Sequence, residues 1–118
     1  MPSQPEEKFP KRARLKRRSE FLNVSRAGKK IFAPHFIIIG KINDQGESRL
    51  GITVSAKVGK AVIRNRIKRQ LREFFRRHRR EVRLHQDIII IARRGAEKLS
   101  SQELTREIRE ALIHSRSR

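Results

Sequence analysis

Cysteine, tryptophan and tyrosine are all missing from this chain of 118 residues. Without cysteine there is no disulfide, no thiolate nucleophile and no thiolate zinc site, a composition that suits a reducing cytoplasm. Acidic residues are scarce: 12 Asp and Glu stand against 31 Lys and Arg, and the only aspartates are Asp44, in a predicted turn, and Asp87, at a strand start. An unassisted nuclease needs paired carboxylates or histidines at metal-ligand spacing, and the glutamates here are scattered among arginines. The histidines, His35, His78, His85 and His114, form no H-E-x-x-H pair, and KVGKAVI at 57–63 lacks the spacing of a phosphate-binding loop. Structural or surface roles are expected for all four imidazoles. No apolar run is long enough to cross a bilayer, and the N-terminus lacks the apolar stretch of a signal peptide. A soluble chain results, in which any catalysis falls to another component.

What the chain has in excess is positive charge. The formal net charge is +19, far beyond what solubility requires, and a polyanionic partner follows. The length suits a single domain with one modest core. Residues 1–13, rich in proline and poor in apolar side chains, are expected to form a flexible basic arm, 14–115 a single domain that binds the polyanion, and 116–118 a frayed end.

A short helix is predicted over 20–27, with Ser19 as N-cap, Glu20 in its first turn and Gly28 as terminator. Strand patterns follow: KKIFA at 29–33, stopped by Pro34, then HFIIIGKI at 35–42, then NDQG as the turn into RLGITVS at 49–55. In that third strand Leu50, Ile52 and Val54 share one face, and Gly51, Thr53 and Ser55 the other. DIIIIAR at 87–93 is apolar on both faces and belongs in the middle of a sheet. The last helix opens with Ser100 and Glu103 at capping-box spacing and carries Leu104, Ile108, Ala111 and Leu112 on one stripe.

The most basic stretch is RNRIKRQLREFFRR at 64–77. At 100° per residue, Ile63, Ile67, Leu71, Phe74, Phe75 and His78 fall on one arc. Asn65, Lys68, Arg69, Arg72 and Arg76 fall opposite, flanked by Arg64 and Arg66, with Glu73 the sole local counter-charge. Most charged helix faces are merely solvated, but they mix signs so that i,i+4 pairs offset repulsion. A membrane-surface helix is a second alternative, but the apolar side is needed to cover the sheet. Nucleic acid is the strongest candidate, since Arg and Lys neutralise phosphates and an Asn among them can bond to a base or a hydroxyl. The absence of helix-turn-helix, finger or zipper patterns, and the mixed sheet beside a basic helix, favour single-stranded RNA over DNA.

KAVIRNRIKRQLREFFR at 60–76 resembles the signature of the bacterial ribonuclease P protein component, in which R-N-R, K-R and a further R lie on one helix. RLKRRSEFLNVSRAGK, RLGITVS and DIIIIARRGA resemble that family's first helix, central strand and last strand, in order. The resemblance implies an α+β fold, a two-layer α-β sandwich of about four strands and three helices, ordered helix, three strands, helix, strand, helix. It also implies a left-handed crossover, against the usual right-handed rule. The implied function is that of an accessory subunit of an endoribonuclease whose RNA is the catalyst and whose product is precursor tRNA freed of its 5′ leader. Mg²⁺ is then held mainly by the RNA and not tightly by this chain. The implied partners are the catalytic RNA and precursor tRNA, with no membrane and no DNA, in the cytoplasm.

Carried over by position, Arg64, Asn65, Arg66, Lys68, Arg69 and Arg72 would dock on the catalytic RNA. Phe21, Ile37, Ile39, Thr53, Ser55 and Lys57 would line a leader cleft between the sheet and the basic helix, and no residue of the chain would be catalytic or bind metal. Core packing is the competing role for Phe21. The chain departs from the family where aromatics are common, at Ile39 and Ser25, and where two basic residues are common, at Ala56 and Lys57. Leader stacking is therefore expected to be weaker or concentrated on Phe21. The rival reading is a generic RNA binder, such as a ribosomal protein or an RNA chaperone.

Overall fold

The computed structural model describes residues 13–44, 46–82 and 85–114. The elements follow the expected order: α1 (Arg18–Ala27), β1 (Lys29–Phe32), β2 (Phe36–Ile42), β3 (Arg49–Thr53), α2 (Ala61–His78), β4 (Gln86–Ala92) and α3 (Ser101–Arg109). Short 3-10 turns occur at Arg79–Glu81 and Ala96–Lys98, and α3 runs on into a π turn at Glu110–His114. The fold is α+β.

One mixed sheet runs β1-β2-β4-β3. β4 pairs antiparallel with β2 and parallel with β3, so its isoleucines meet apolar neighbours on both sides: Ile38 and Ile52 flank Ile90, while Ile39 and Gly51 flank Ile89. The even-numbered side of β4, Ile88 and Ile90, packs with Ile38 and Leu50 against Ile67, Leu71 and Phe75 of α2 and Leu104 and Ile108 of α3. This face carries the expected two-layer packing, and full burial of each such side chain contributes about 1.5–3 kcal/mol. On the opposite face a smaller cluster joins Ile39 and Ile89 to Leu15 and to Val24 of α1, so that α1 covers a strip of the sheet that α2 and α3 do not reach.

The helix ends follow local chemistry. Ser100 caps α3 by accepting the Glu103 N–H at 3.1 Å, and the Glu103 carboxylate accepts the Ser100 N–H at 2.8 Å, the capping box that the spacing predicts. The N-terminus of α1 differs from expectation. The Glu20 carboxylate reaches back to accept the backbone N–H groups of Lys16 and Arg17, so the helix starts at Arg18 and Arg17, not Ser19, occupies the cap. The folded body also begins earlier than residue 14, because Ala13 is fully buried and Arg14 bridges in parallel to Leu50 at the β3 edge. The rest of the expected arm and the frayed end at 116–118 lie outside the described residues.

A polar clamp ties α1 to the sheet. Arg49 of β3 donates to both carboxylate oxygens of Asp87 at 2.8 and 2.7 Å and to Glu20 at 3.1 Å, and Asn43 donates to Asp87 at 2.7 Å. The backbone N–H groups of Arg17 and Lys16, and then the Arg49 charge, hold the Glu20 carboxyl below its ordinary value. The hydrogen bonds that Arg49 donates to Asp87 raise its guanidinium above its ordinary value.

At the other end of α1, the Gly28 N–H closes on the Val24 carbonyl at 2.7 Å. A Cβ at position 28 would come within 2.5 Å of that oxygen and 2.6 Å of the Ile39 side chain, so only hydrogen fits.

Two outcomes are expected. Gly28→Ala lowers the stability measured by urea unfolding by about 1–3 kcal/mol, because backbone and core must both give way. The Glu20 contribution is complete above the ordinary glutamate value of about 4.3 and disappears as the pH falls through the lower folded value. Thermal midpoints of the native chain should therefore fall more steeply on acidification than those of Glu20→Gln, and parallel curves would remove Glu20 from the clamp.

Candidate nucleic-acid interface

The apolar stripe of α2 places Ile67, Leu71, Phe74 and Phe75 in the core, which turns the basic positions outward. Arg64 and Arg66 do not belong to the free part of that surface. Arg64 donates to the Gly59 carbonyl at 3.2 Å and Arg66 to the Glu97 carbonyl at 2.8 Å, so each guanidinium is pinned to main chain on one flank of the helix. Between them, Asn65 and Arg69 are exposed and Lys68 and Arg72 half-buried. Glu73 is occupied by Arg76 and Arg77, the latter at 2.9 Å. The Arg76 hydrogen bond is the main reason that the Glu73 carboxyl is lowered.

Lys68 and Arg72 look across the β3 edge toward α1. There a groove is lined by Arg14, Phe21, Gly51, Ile52, Lys68 and Arg72, together with Leu15 and Leu50, and by no acidic side chain. Phe21 lies directly on Gly51, where an added Cβ would come within 2.6 Å of the ring. The groove is thus an aromatic floor with three cations at its rim. Burial and the neighbouring Arg14 charge lower the Arg72 guanidinium from its ordinary value, a local excess of positive charge that an anion relieves.

The residues expected to line a leader cleft separate into three groups. Phe21 and Ile37 are half-buried on the α1 face, where both pack against the smaller core, so Phe21 combines packing with exposure. Thr53, Ser55 and Lys57 are exposed, the last two within a turn in which the Lys57 N–H donates to the Ser55 hydroxyl at 3.3 Å. Ile39 is 2% exposed beneath α1, beside Gly28, and is therefore core and not a contact surface. The expected location between the sheet and α2 is also corrected, because that interface is filled by the main core and the opening lies around the β3 edge.

Two residues escaped sequence reasoning. Arg14 lay at the margin of the expected arm, although the alternation Ala13-Arg14-Leu15, buried at both ends, is the signature of an edge segment. Phe32 read as ordinary strand, yet it is 68% exposed. His35 and His78 serve structure. His35 donates its backbone N–H to Glu107 at 2.6 Å and meets the same carboxylate through Nδ1 at 2.8 Å, and His78 meets Glu81 at 2.9 Å. Among the described residues no group of three or more His, Cys, Asp or Glu could hold a metal ion.

A family model described as Ribonuclease P matches residues 9–116. The ribonuclease P protein component of Geotalea uraniireducens is 46% identical over 105 residues, covering 88% of this chain and 91% of that one. Its counterpart from Desulfosudis oleivorans is 46% identical over 110 residues, covering 93% and 90%. Among solved structures, the RNase P protein from Thermotoga maritima superposes with a TM-score of 0.79 at 31% identity, covering 86% of this chain and 96% of that one. A Staphylococcus aureus RNase P protein mutant with defective mRNA degradation activity gives 0.83 at 33% identity, covering 90% of each chain.

The two flanks of α2 should respond differently to truncation. Arg66→Ala removes the tie to Glu97 and lowers stability by about 1 kcal/mol, whereas Arg69→Ala stays within about 0.5 kcal/mol of the native chain. Urea unfolding of the two variants checks this, and equal midpoints would show that the Arg66 tie contributes nothing.

Proposed function

From the premise that this chain belongs to the ribonuclease P protein family and is a protein subunit of ribonuclease P, acting in tRNA processing, we propose how its surface serves that ribonucleoprotein. The α2 surface of Asn65, Lys68, Arg69 and Arg72, with Arg64 and Arg66 at its margins, docks on the catalytic RNA. The groove at the β3 edge receives the 5′ leader of precursor tRNA. The observation that carries this reading is the convergence of Arg14, Lys68 and Arg72 on Phe21 and Gly51, with no carboxylate in the lining. Such a rim suits phosphates, and such a floor suits a base, whose stacking on an aromatic ring contributes roughly 1–3 kcal/mol.

Lys68 and Arg72 belong to both surfaces, which gives a physical route from docking to substrate choice. The catalytic RNA and precursor tRNA are both polyanions, so their approach is opposed by repulsion. A body of net charge +19 between them lowers that opposition. The groove adds preference for precursor over product, because mature tRNA has no leader. The chain's residues bind and orient; the bond is broken by the RNA. Mg²⁺ supplies the Lewis-acid chemistry when bound, and we assign it to the RNA, since the described side chains form no cluster suited to it. The described residues contain no helix long and apolar enough to cross a membrane, and we place the chain with its RNA partners in the cytoplasm. A generic RNA binder would share the charge but not the ordered family match over residues 9–116.

Cleavage of precursor tRNA by a bacterial ribonuclease P RNA at low Mg²⁺, with and without the chain, tests the proposal. Near-equimolar chain should restore cleavage, and Arg66→Ala with Arg69→Ala should abolish the rescue and flatten the salt dependence of RNA binding by about one to two phosphate contacts. Equal rescue by any protein of similar charge would reduce the chain to a generic RNA binder.

A further inference from the structure

The sheet face that carries α1 is covered only in part. α1 and Phe21 lie over the row formed by Lys30, Ile39, Ile89 and Gly51, where Ile39 and Ile89 are buried. The next row along the strands runs Phe32, Ile37, Ile91, Thr53 across the whole sheet, from the β1 edge to the β3 edge. Ile37 and Ile91 in its centre are half-buried, and Thr53 is exposed. Phe32 at its outer end is 68% exposed. Ile31, which precedes it, packs into the main core, so strand alternation turns Phe32 to the α1 face.

Phe36, Phe74 and Phe75 are buried and Phe21 is half-buried, which leaves Phe32 as the one phenylalanine among the described residues with most of its surface open. Positive charge flanks it. Lys30 stands one row back, and Arg93, beyond Ile91, is held over the β1–β2 turn, its backbone N–H donating to His35 at 2.9 Å and its guanidinium to the Ala33 carbonyl at 3.4 Å. Neither row contains an acidic residue. Phe32 also borders the groove on the α3 side of β1, but there Glu103, Glu107 and Glu110 line it beside a single cation, Arg106. A polyanion therefore reaches Phe32 from the α1 face.

We infer that Phe32 is a second stacking platform for an unpaired base of the leader, with Lys30 and Arg93 meeting the phosphates beside it. This rests on the leader reading proposed above and extends that site to the opposite edge of the sheet. At about 4.8 Å between strands, the β1 and β3 edges lie ~14 Å apart. One base cannot touch both Phe21 and Phe32. A leader that engages both must cross the open row of Ile37 and Ile91, and a short leader reaches only one of them.

The test uses the holoenzyme reconstituted with a bacterial ribonuclease P RNA, and measures the dissociation constants of precursor tRNAs whose leaders are shortened stepwise, with mature tRNA as the reference. Phe32→Ala should weaken binding of long leaders about tenfold, leave the shortest leader and mature tRNA as they are, and unfold at the native temperature. Phe32→Tyr should restore long-leader binding, whereas Phe32→Leu should not. Native-like affinity of Phe32→Ala at every leader length would overturn the inference, as would an equal loss for mature tRNA. Phe21→Ala in parallel separates the two readings. If it weakens leader binding while Phe32→Ala does not, only the second platform falls; if neither responds, the leader reading itself falls.

Discussion

Ile88, Ile89, Ile90 and Ile91 leave β4 without a polar face, so neither side of the sheet can be given to water around it. The larger side is closed by α2 and α3, and the smaller by α1. Because α1 is short, its cover ends at the row of Ile39 and Ile89, and because α2 must bury its own apolar stripe, its basic side turns outward beside the β3 edge. The groove at that edge is thus a by-product of where hydrophobic cover stops. Its cations come from two places: Arg14 from the segment bridged to the edge of β3, and Lys68 and Arg72 from α2, held by its packing on the main core.

The scarce acidic residues are used on structure. Asp87 and Glu20 receive Arg49, Glu107 holds the β1–β2 turn through His35, Glu103 completes a helix cap, and the Glu97 side chain accepts the Gly95 N–H. Glu73 neutralises part of the α2 surface, and it does so at the C-terminal turn, through Arg76 and Arg77. The consequence is a body whose carboxylates are largely turned to internal tasks while its guanidinium groups remain at the boundary. Among the described residues Lys68, Arg69 and Arg72 form no ion pair, so a polyanion meets that part of α2 without first displacing a carboxylate, which favours fast, salt-sensitive association.

Much of this was legible in the residue order, for reasons that differ by element. The Ser100–Glu103 box and the stripe of α3 are local and were read correctly. The burial of β4 followed from its composition, and the two-sided character of α2 from its period. What local reading missed depended on tertiary contacts. The cap of α1 moved to Arg17 because a carboxylate three residues on reached back to two backbone donors. Ile39 became core because Gly28 allows α1 to lie against it, and no periodicity within β2 reports that. The placement of β4 between β2 and β3 is likewise invisible to patterns confined to one strand. At the site, the basic residues were legible as a set, but their division into pinned flanks and an open centre depends on the carbonyls of Gly59 and Glu97.

The strand order also bears on how the chain is made. β2 and β3 are consecutive in sequence but do not pair; each pairs with β4, which is synthesised later. Until residues 86–92 have left the ribosome, β3 has no sheet neighbour apart from the bridge at Arg14, and the clamp of Arg49 lacks its Asp87. Most of the positive charge therefore emerges from the exit tunnel on a nascent chain that cannot yet close its core, in the immediate company of ribosomal RNA. Folding is committed late, by a single strand that joins two others at once, a non-local step of the kind that slows folding and lengthens exposure of unpaired edges.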